Sequence, residues 1–429
     1  MSDSVLHTRF PNGLTVHLKE IHTAPIISHW VWYRVGSRDE TPGLTGISHW
    51  VEHMQFKGTP KLPAGILDKA ISRDGGYWNA FTYMDWTTFF ETMPAEKIDL
   101  ALELEADRMV NCLYDAEEVE SERTVIISER EGSENEPLFR LGEAVQSAAI
   151  RQHPYHHEVI GDKADLRTIT RDDLYSHYRR YYAPNNAVLC MAGDFNAAEM
   201  LAKIEAVYAP LAAGQPGPHP QTPEPPHTAE ERLVITGEGE TTFLQVAYPA
   251  PAAADPDFFA YTLLDSLLSG PSGLNMFGGG GISNKTSRLY RALVEKELAV
   301  SVSGGLQATI DPFLYAATLT VHPARKAEET LAAYDAEIQR LQDELVSQDE
   351  ILRAAKQARA MFAYGSENIT NQAFWLGYSD MFASYDWFLK YVENLEQVTP
   401  DQIQRIARAY LQPANRVVGI YLPEKGAAA

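Results

Sequence analysis

Thr170-Arg-Asp-Asp-Leu174, followed after a helix-length stretch by Ala183-Pro-Asn-Asn-Ala-Val188, returns later as Thr399-Pro-Asp-Gln-Ile403 followed by Gln412-Pro-Ala-Asn-Arg-Val417. The same 229-residue offset separates Thr170 from Thr399, Pro184 from Pro413 and Asn186 from Asn415. In each copy a Thr N-cap opens a helix with an acidic first turn, since the hydroxyl accepts an orphan backbone N–H and negative charge suits the helix dipole there. Pro then stops each helix ahead of an apolar strand, Ala187-Val-Leu-Cys-Met-Ala192 and Arg416-Val-Val-Gly-Ile-Tyr421. A helix and strand repeated at constant spacing mark an internal duplication. Strands such as Thr15-Val-His-Leu18 and Ser28-His-Trp-Val-Trp-Tyr33 come clustered, with long helical stretches between them, so each copy reads as α+β. Between the copies runs Gly214-Gln-Pro-Gly-Pro-His-Pro-Gln-Thr-Pro-Glu-Pro-Pro-His-Thr-Ala-Glu-Glu231, too rich in Pro for a helix or a central strand. The expected architecture is two homologous domains, 1–213 and 232–429, each a mainly antiparallel sheet covered by helices, joined by a semi-rigid Pro-rich linker at 214–231.

Bulk properties agree with two cores. At 429 residues the chain exceeds what one hydrophobic core usually serves, which points to two domains of about 200 residues each. With 45% hydrophobic and 22% charged residues and no long low-complexity tract, global disorder is excluded. A formal charge of −22 argues against nucleic-acid binding, which draws its affinity from Lys and Arg against phosphate, and favours basic peptides instead. Cys112 and Cys190 are too few for a disulfide framework and lack the paired spacing of a thiolate metal site, so both are expected to be buried, inert thiols. Met1-Ser-Asp-Ser-Val-Leu-His-Thr-Arg-Phe10 has no apolar core of signal-peptide length, and no membrane-spanning run of about 18 apolar residues occurs elsewhere. As written, the chain reads as soluble and cytoplasmic; a chain trimmed of a periplasmic leader would read the same.

Chemistry enters at His49-Trp-Val-Glu-His53. At about 100° per residue, Ile47, Trp50, Val51 and Met54 fall on one core-facing stripe, while His49, Glu52 and His53 share the opposite face. Two imidazoles one turn apart can converge on one metal ion. Gly46 and Gly58 bracket this short helix, and Gly58 suits a left-handed terminus. A merely solvated helical face would show the same residues, so the motif needs a second feature.

A tetrahedral catalytic zinc takes three protein ligands and keeps one position for water, so a third ligand must come from elsewhere. In Glu118-Val-Glu-Ser-Glu-Arg-Thr-Val-Ile-Ile-Ser-Glu129, the residues Val119, Glu122, Val125, Ile126 and Glu129 recur at i, i+3, i+6, i+7 and i+10. That spacing puts both carboxylates on the aliphatic stripe and predicts that both point inward, whereas a solvated acidic face would lie opposite the valines. A buried carboxylate needs a partner or a metal. Glu129 is the better candidate ligand, and Glu122 would orient a metal-bound imidazole through its free N–H. Adjacent residues project to different sides, so His156-His157-Glu158 is excluded as a second metal site.

The His-x-x-Glu-His order, inverted relative to the commoner zincin motif and followed by Glu122-x6-Glu129, resembles the M16 family of inverzincin metallopeptidases. Within that family it is similar to the catalytic subunits of processing-peptidase-like heterodimers. The resemblance spans essentially the whole chain. Gly75-Gly-Tyr-Trp-Asn-Ala-Phe-Thr82 is similar to the segment in which Asn-Ala-x-Thr begins an active-site edge strand; His153-Pro-Tyr155, Ile160-Gly161 and Ser287-Arg-Leu-Tyr290 match other family segments. The resemblance implies a zinc endopeptidase binding one Zn2+ per chain through His49, His53 and Glu129, with Glu52 as general base. Manganese or cobalt would fit the same donors. It further implies that Asn79, Ala80, Phe81 and Thr82 hold a peptide substrate by backbone pairing, and that the second domain has no metal ligands. Without the resemblance, Asn79 reads as a turn residue.

The chain departs from the family in its second half. Active single-chain members carry there a spaced Arg and Tyr that contact the substrate and the tetrahedral intermediate. Here the stretch is Leu293-Val-Glu-Lys-Glu-Leu-Ala-Val-Ser-Val302, with Val294 and Val300 at those places. Losing such a donor costs about a hundredfold or more in rate. Arg288 and Tyr290 match a structural helix start instead. A partner M16 subunit carrying the Arg and Tyr, in a heterodimer, is therefore expected; the alternative is a non-catalytic scaffolding subunit of M16 ancestry. Leu268-Ser-Gly-Pro-Ser-Gly-Leu-Asn-Met-Phe-Gly-Gly-Gly-Gly-Ile282 lacks the ending of a phosphate loop and reads as a mobile loop lining a substrate chamber.

Overall fold

The computed structural model describes residues 5–217, 219, 222–271 and 282–424. The Gly-rich stretch from Ser272 to Gly281 lies outside them. One sheet contains β1 (Leu6–Arg9), β2 (Thr15–Glu20), β3 (Ile26–Tyr33), β4 (Tyr77–Thr82), β5 (Thr87–Pro94) and β6 (Ala187–Gly193) in the order β1-β2-β6-β3-β5-β4. The other contains β7 (Glu231–Gly237), β8 (Phe243–Ala250), β9 (Ala299–Leu306), β10 (Phe313–Val321) and β11 (Val417–Pro423) in the order β7-β11-β8-β10-β9. Each is antiparallel except for one parallel pair, β2 with β6 and β7 with β11.

The repeat read in the sequence occupies equivalent places in the two sheets. Thr170 caps the helix Arg171–Tyr181 by accepting from the Asp173 N–H, and Thr399 caps Pro400–Tyr410 by accepting from Gln402. Each helix leads through a one-turn 3-10 segment, Pro184–Asn186 or Pro413–Asn415, into β6 or β11. Those two strands each lie between a parallel and an antiparallel neighbour.

Contacts gather the chain into two compact units: Met1–Arg130, His157–Gln221 and Ser366–Tyr385 form one, and Glu131–His156, Thr222–Gly365 and Asp386–Ala429 the other. They differ from the division at 213 and 232 by an exchange of helices. The helix Ile369–Phe382 packs on β3 and β6 of the first unit, and Pro137–Ala149 packs on β7, β8 and β11 of the second. Side chains alternate along a strand. On β3, Trp30 and Trp32 meet Phe374 of Ile369–Phe382, with ring centroids 5.5 and 5.4 Å away. Ile27, Val31 and Tyr33 enter the core on the opposite face. Burial of apolar area is indifferent to sequence distance, so a helix from either half can cover a sheet.

Along the chain, α1 (Ile47–Met54) and α2 (Ile66–Arg73) lie between β3 and β4, and α3 (Ile98–Asn111) and α4 (Ala116–Glu134) follow β5. Ile47, Trp50, Val51 and Met54 of α1 join Val119 and Ile126 of α4 in one core. Cys112 and Cys190 are both buried. No helix among the described residues is long and apolar enough to cross a membrane.

Candidate metal centre

Gly46, at φ 86°, starts α1; a Cβ there would stand 2.5 Å from the Ile160 carbonyl oxygen, so only glycine fits. Glu40 closes the helix start, accepting from the N–H groups of Gly46 and Ser48 at 2.8 Å each. His157 Nε2 lies 2.9 Å from Glu40, which gives that histidine a place in helix anchoring. The helix ends at Met54; Gly58 is left-handed, at φ 93°, but sits in the turn beyond the helix and does not terminate it.

His49 and His53 project from the polar face of α1 with ring centroids 4.6 Å apart. Glu129 Oε2 lies 4.0 Å from His49 Nε2 and 3.8 Å from His53 Nε2. Donors around a tetrahedral ion with bonds of about 2 Å stand about 3.3 Å apart, so a small inward turn of these side chains would bring them onto one ion, and two imidazoles with a carboxylate are a donor set that zinc accepts. Among the described residues no second cluster of three or more His, Cys, Asp or Glu side chains comes this close together. Burial, and then the neighbouring His53, push His49 down to about 3, so its ring is neutral and its nitrogens can act as ligands.

Glu122 and Glu129 do not share one environment. Glu122 is buried, as the stripe predicts, whereas the Glu129 side chain is 49% exposed and Val125 is 47% exposed. At about 100° per residue Val125 lies roughly 120° from Val119 and faces outward, but Glu122 and Glu129 lie on one side of the stripe, roughly 60° and 80° away, so their different exposure comes from what packs over each of them, and His53 and Lys57 close over Glu122. Glu129 sits at the rim of the stripe, where its carboxylate meets the imidazoles. Glu122 Oε1 lies 2.8 Å from His53 Nδ1, and its Oε2 lies 2.5 Å from Lys57 Nζ. Burial alone would raise the Glu122 carboxyl, but His53 and Lys57 hold it below the usual range. Burial would likewise lower His53, yet Glu122, with Glu52 and Glu129, holds it above its ordinary value.

Glu52 is buried on the same face, and its Oε2 accepts from the Thr82 hydroxyl at 2.6 Å. Burial pushes its carboxyl up to about 6, against the lowering effect of that hydrogen bond. Among the described residues, β4 is an edge strand of its sheet and pairs with β5. Asn-Ala-Phe-Thr ends this strand and does not begin it. Asn79 is exposed and its Oδ1 accepts from the Ala80 N–H, Ala80 is buried, and Phe81 lies against Phe90. A cavity of about 610 Å³ beside the site is lined by Glu52, His53, Phe56, Lys57, Asn79 and Glu122, with Ala64, Gly65 and Glu118.

Two features escape a reading by periodicity: the Thr82 hydroxyl on Glu52 and the Lys57 ammonium on Glu122. The only sequence signal for Lys57 is its place four residues after His53, beyond the helix end. In the second unit, Val294 closes a π-turn and Val300 is exposed on β9, while Arg288 is paired with Glu337 and Glu350.

A buried glutamate beside two imidazoles and a carboxylate, set against a sheet whose pattern the second half repeats, is the make-up of a metalloprotease-like protein. The family profile described as Insulinase (Peptidase family M16) matches residues 15–163, and that described as Peptidase M16 inactive domain matches residues 168–358; the chain belongs to the M16 family. An uncharacterized zinc protease of Streptomyces coelicolor is 26% identical over 428 residues, covering 97% of this chain and 90% of the relative. A probable mitochondrial-processing peptidase subunit beta of Arabidopsis thaliana is 26% identical over 297 residues, covering 69% of this chain and 55% of that one. The solved structure of a protease from Helicobacter pylori matches with a TM-score of 0.90 at 25% identity, covering 98% of this chain and 100% of that one.

Proposed function

We propose that the chain is the metal-bearing subunit of a zinc-dependent endopeptidase acting on peptides or unfolded protein segments. The observation that carries this reading is the convergence of His49, His53 and Glu129, all within 4.8 Å of one another, beside a buried Glu52. Zinc held by those three residues would supply Lewis acidity to the scissile carbonyl and activate water. Glu52, the general base, accepts a proton from water and returns it to the leaving amine, its carboxylate being buried within the site. Thr82 holds the Glu52 carboxylate, and Glu122 fixes the His53 ring. Asn79 to Thr82, on the edge strand β4, hold an extended peptide by backbone pairing.

The partner subunit follows from Val294 and Val300. Neither side chain donates a hydrogen bond to an oxyanion, so an Arg and a Tyr from a second M16 chain complete the site. Elemental analysis of wild type beside His49→Ala and Glu129→Ala, with cleavage of a basic unstructured peptide with and without a co-expressed M16 partner, tests both parts. About one zinc per chain, lost in both variants, with cleavage only in the presence of the partner, is the expected result. Full activity of the isolated chain removes the partner from the reading. A wild-type chain without metal after gentle purification favours the scaffolding alternative, which the missing Arg and Tyr motivate.

A further inference from the structure

The contacts at the centre are lopsided. His49 Nδ1 is buried and has no hydrogen-bond partner among the described residues, so the Glu122 contact with His53 Nδ1 is the one that orients an imidazole of the pair. A glutamate carboxylate gripped at one oxygen still turns easily, because its terminal torsion is broad. Here the second oxygen is gripped as well: Lys57 Nζ lies 2.5 Å from Glu122 Oε2 and 3.3 Å from Glu118 Oε2. Glu118 and Glu122 are i, i+4 neighbours on α4, a spacing at which like charges repel. The ammonium between them offsets that repulsion and bridges two successive turns of the helix.

We infer that Lys57 is a positioning residue for the metal centre, acting through Glu122 on the His53 ring and, through its double contact with α4, on the setting of Glu129. The inference rests on the metal-centre reading above. Lys57 sits in the turn that leaves α1, its own N–H bonded to the Met54 carbonyl, so it is anchored to the helix that carries both histidines. Glu129 lies on α4 about two turns beyond Glu122. A shift or rotation of α4 thus changes the distance from Glu129 to both imidazoles. One side chain ties the third ligand's helix to the helix of the other two.

The test is a zinc affinity measured without turnover. The purified full chain is stripped with a chelator and titrated with zinc against a chromophoric competitor, and the cobalt-loaded form is examined for its visible absorption bands. Lys57→Ala and Lys57→Met are expected to weaken zinc binding by about tenfold or more, the range seen when the support of a metal-ligating histidine is removed. Altered cobalt bands and partial recovery in Lys57→Arg are expected alongside. Circular dichroism checks the fold, and Lys57→Met, which keeps the apolar stem, decides the matter if Lys57→Ala does not fold. Unchanged or tighter zinc binding in the folded variants overturns the inference, since Lys57 would then only draw charge away from Glu122. A wild-type chain that binds no zinc overturns the metal-centre reading together with it.

Discussion

Glu52 and Thr82 show how much of this site depends on single atoms. The hydroxyl donates to one carboxylate oxygen at 2.6 Å, so the carboxylate is both buried and aimed. Glu52→Gln is expected to lower peptide cleavage by about 10²- to 10⁴-fold while leaving zinc content unchanged, because the amide cannot accept a proton. Loss of zinc in that variant would move Glu52 from proton transfer to ligation. Thr82→Val tests the aim separately: kcat is expected to fall by about tenfold with KM within a factor of two, reflecting about 1.5 kcal/mol for the lost hydrogen bond to a charged group. A change confined to KM would assign Thr82 to substrate holding alone. At this scale the sequence was legible where a helix period governs it. His49, Glu52 and His53 share a face because they share a helix, whereas Thr82 reaches Glu52 across a strand that no periodicity ties to α1.

The element that sets the metal centre is α1, and its start is where a substitution bites hardest. Ala at position 46 would have to adopt φ 86° and place its Cβ 2.5 Å from the Ile160 carbonyl oxygen. Gly46→Ala is expected to cost at least about 2 kcal/mol, seen as a melting temperature roughly 4–8 °C lower, with weaker zinc binding as α1 shifts. An unchanged melting point would mean that the loop around Ile160 yields freely. The α4 helix teaches a different lesson. Its stripe was legible at Val119, Glu122 and Ile126, but Val125 falls about 120° away and is exposed, and the exposure of Glu129, only about 20° round the helix from buried Glu122, is set by what packs over it.

On the scale of the molecule, the exchange of helices has consequences for folding. A fragment ending at Glu231 lacks Ile369–Phe382, which covers Trp30 and Trp32. Such a fragment is expected to bind a hydrophobic dye and melt broadly, and a peptide spanning residues 366–385 is expected to sharpen the transition. A fragment that melts cooperatively without the peptide would show that the covering helix is dispensable. Stability should also depend on acid. Burial holds His29 down to about 4 and His177 down to about 3, against an ordinary value of 6.5, so both are neutral when folded. Their contribution is complete above pH 6.5 and is lost as pH falls toward those values, because only the unfolded chain takes up the protons. Buried Glu91 and Glu105, pushed upward, act in the opposite sense. His177→Gln isolates one share: the fall in melting temperature from pH 7.5 to pH 5 should be smaller than in wild type, and an equal fall would mean that His177 is protonated in the folded chain.

The sequence by itself determined the duplication, the α+β class and the polar face of α1. Those properties depend on residues close in the chain, through capping, Pro stops and helical or strand period, and Thr170 and Thr399 carry them openly. Only the tertiary structure decided which helix covers which sheet, how far Glu129 turns outward, and that Thr82 and Lys57 serve Glu52 and Glu122. Periodicity tells which face of an element is apolar, but apolar burial has no direction and accepts any partner of fitting shape. Hydrogen bonds and ion pairs do have direction, and they form between residues that only the completed packing brings within about 3 Å of each other.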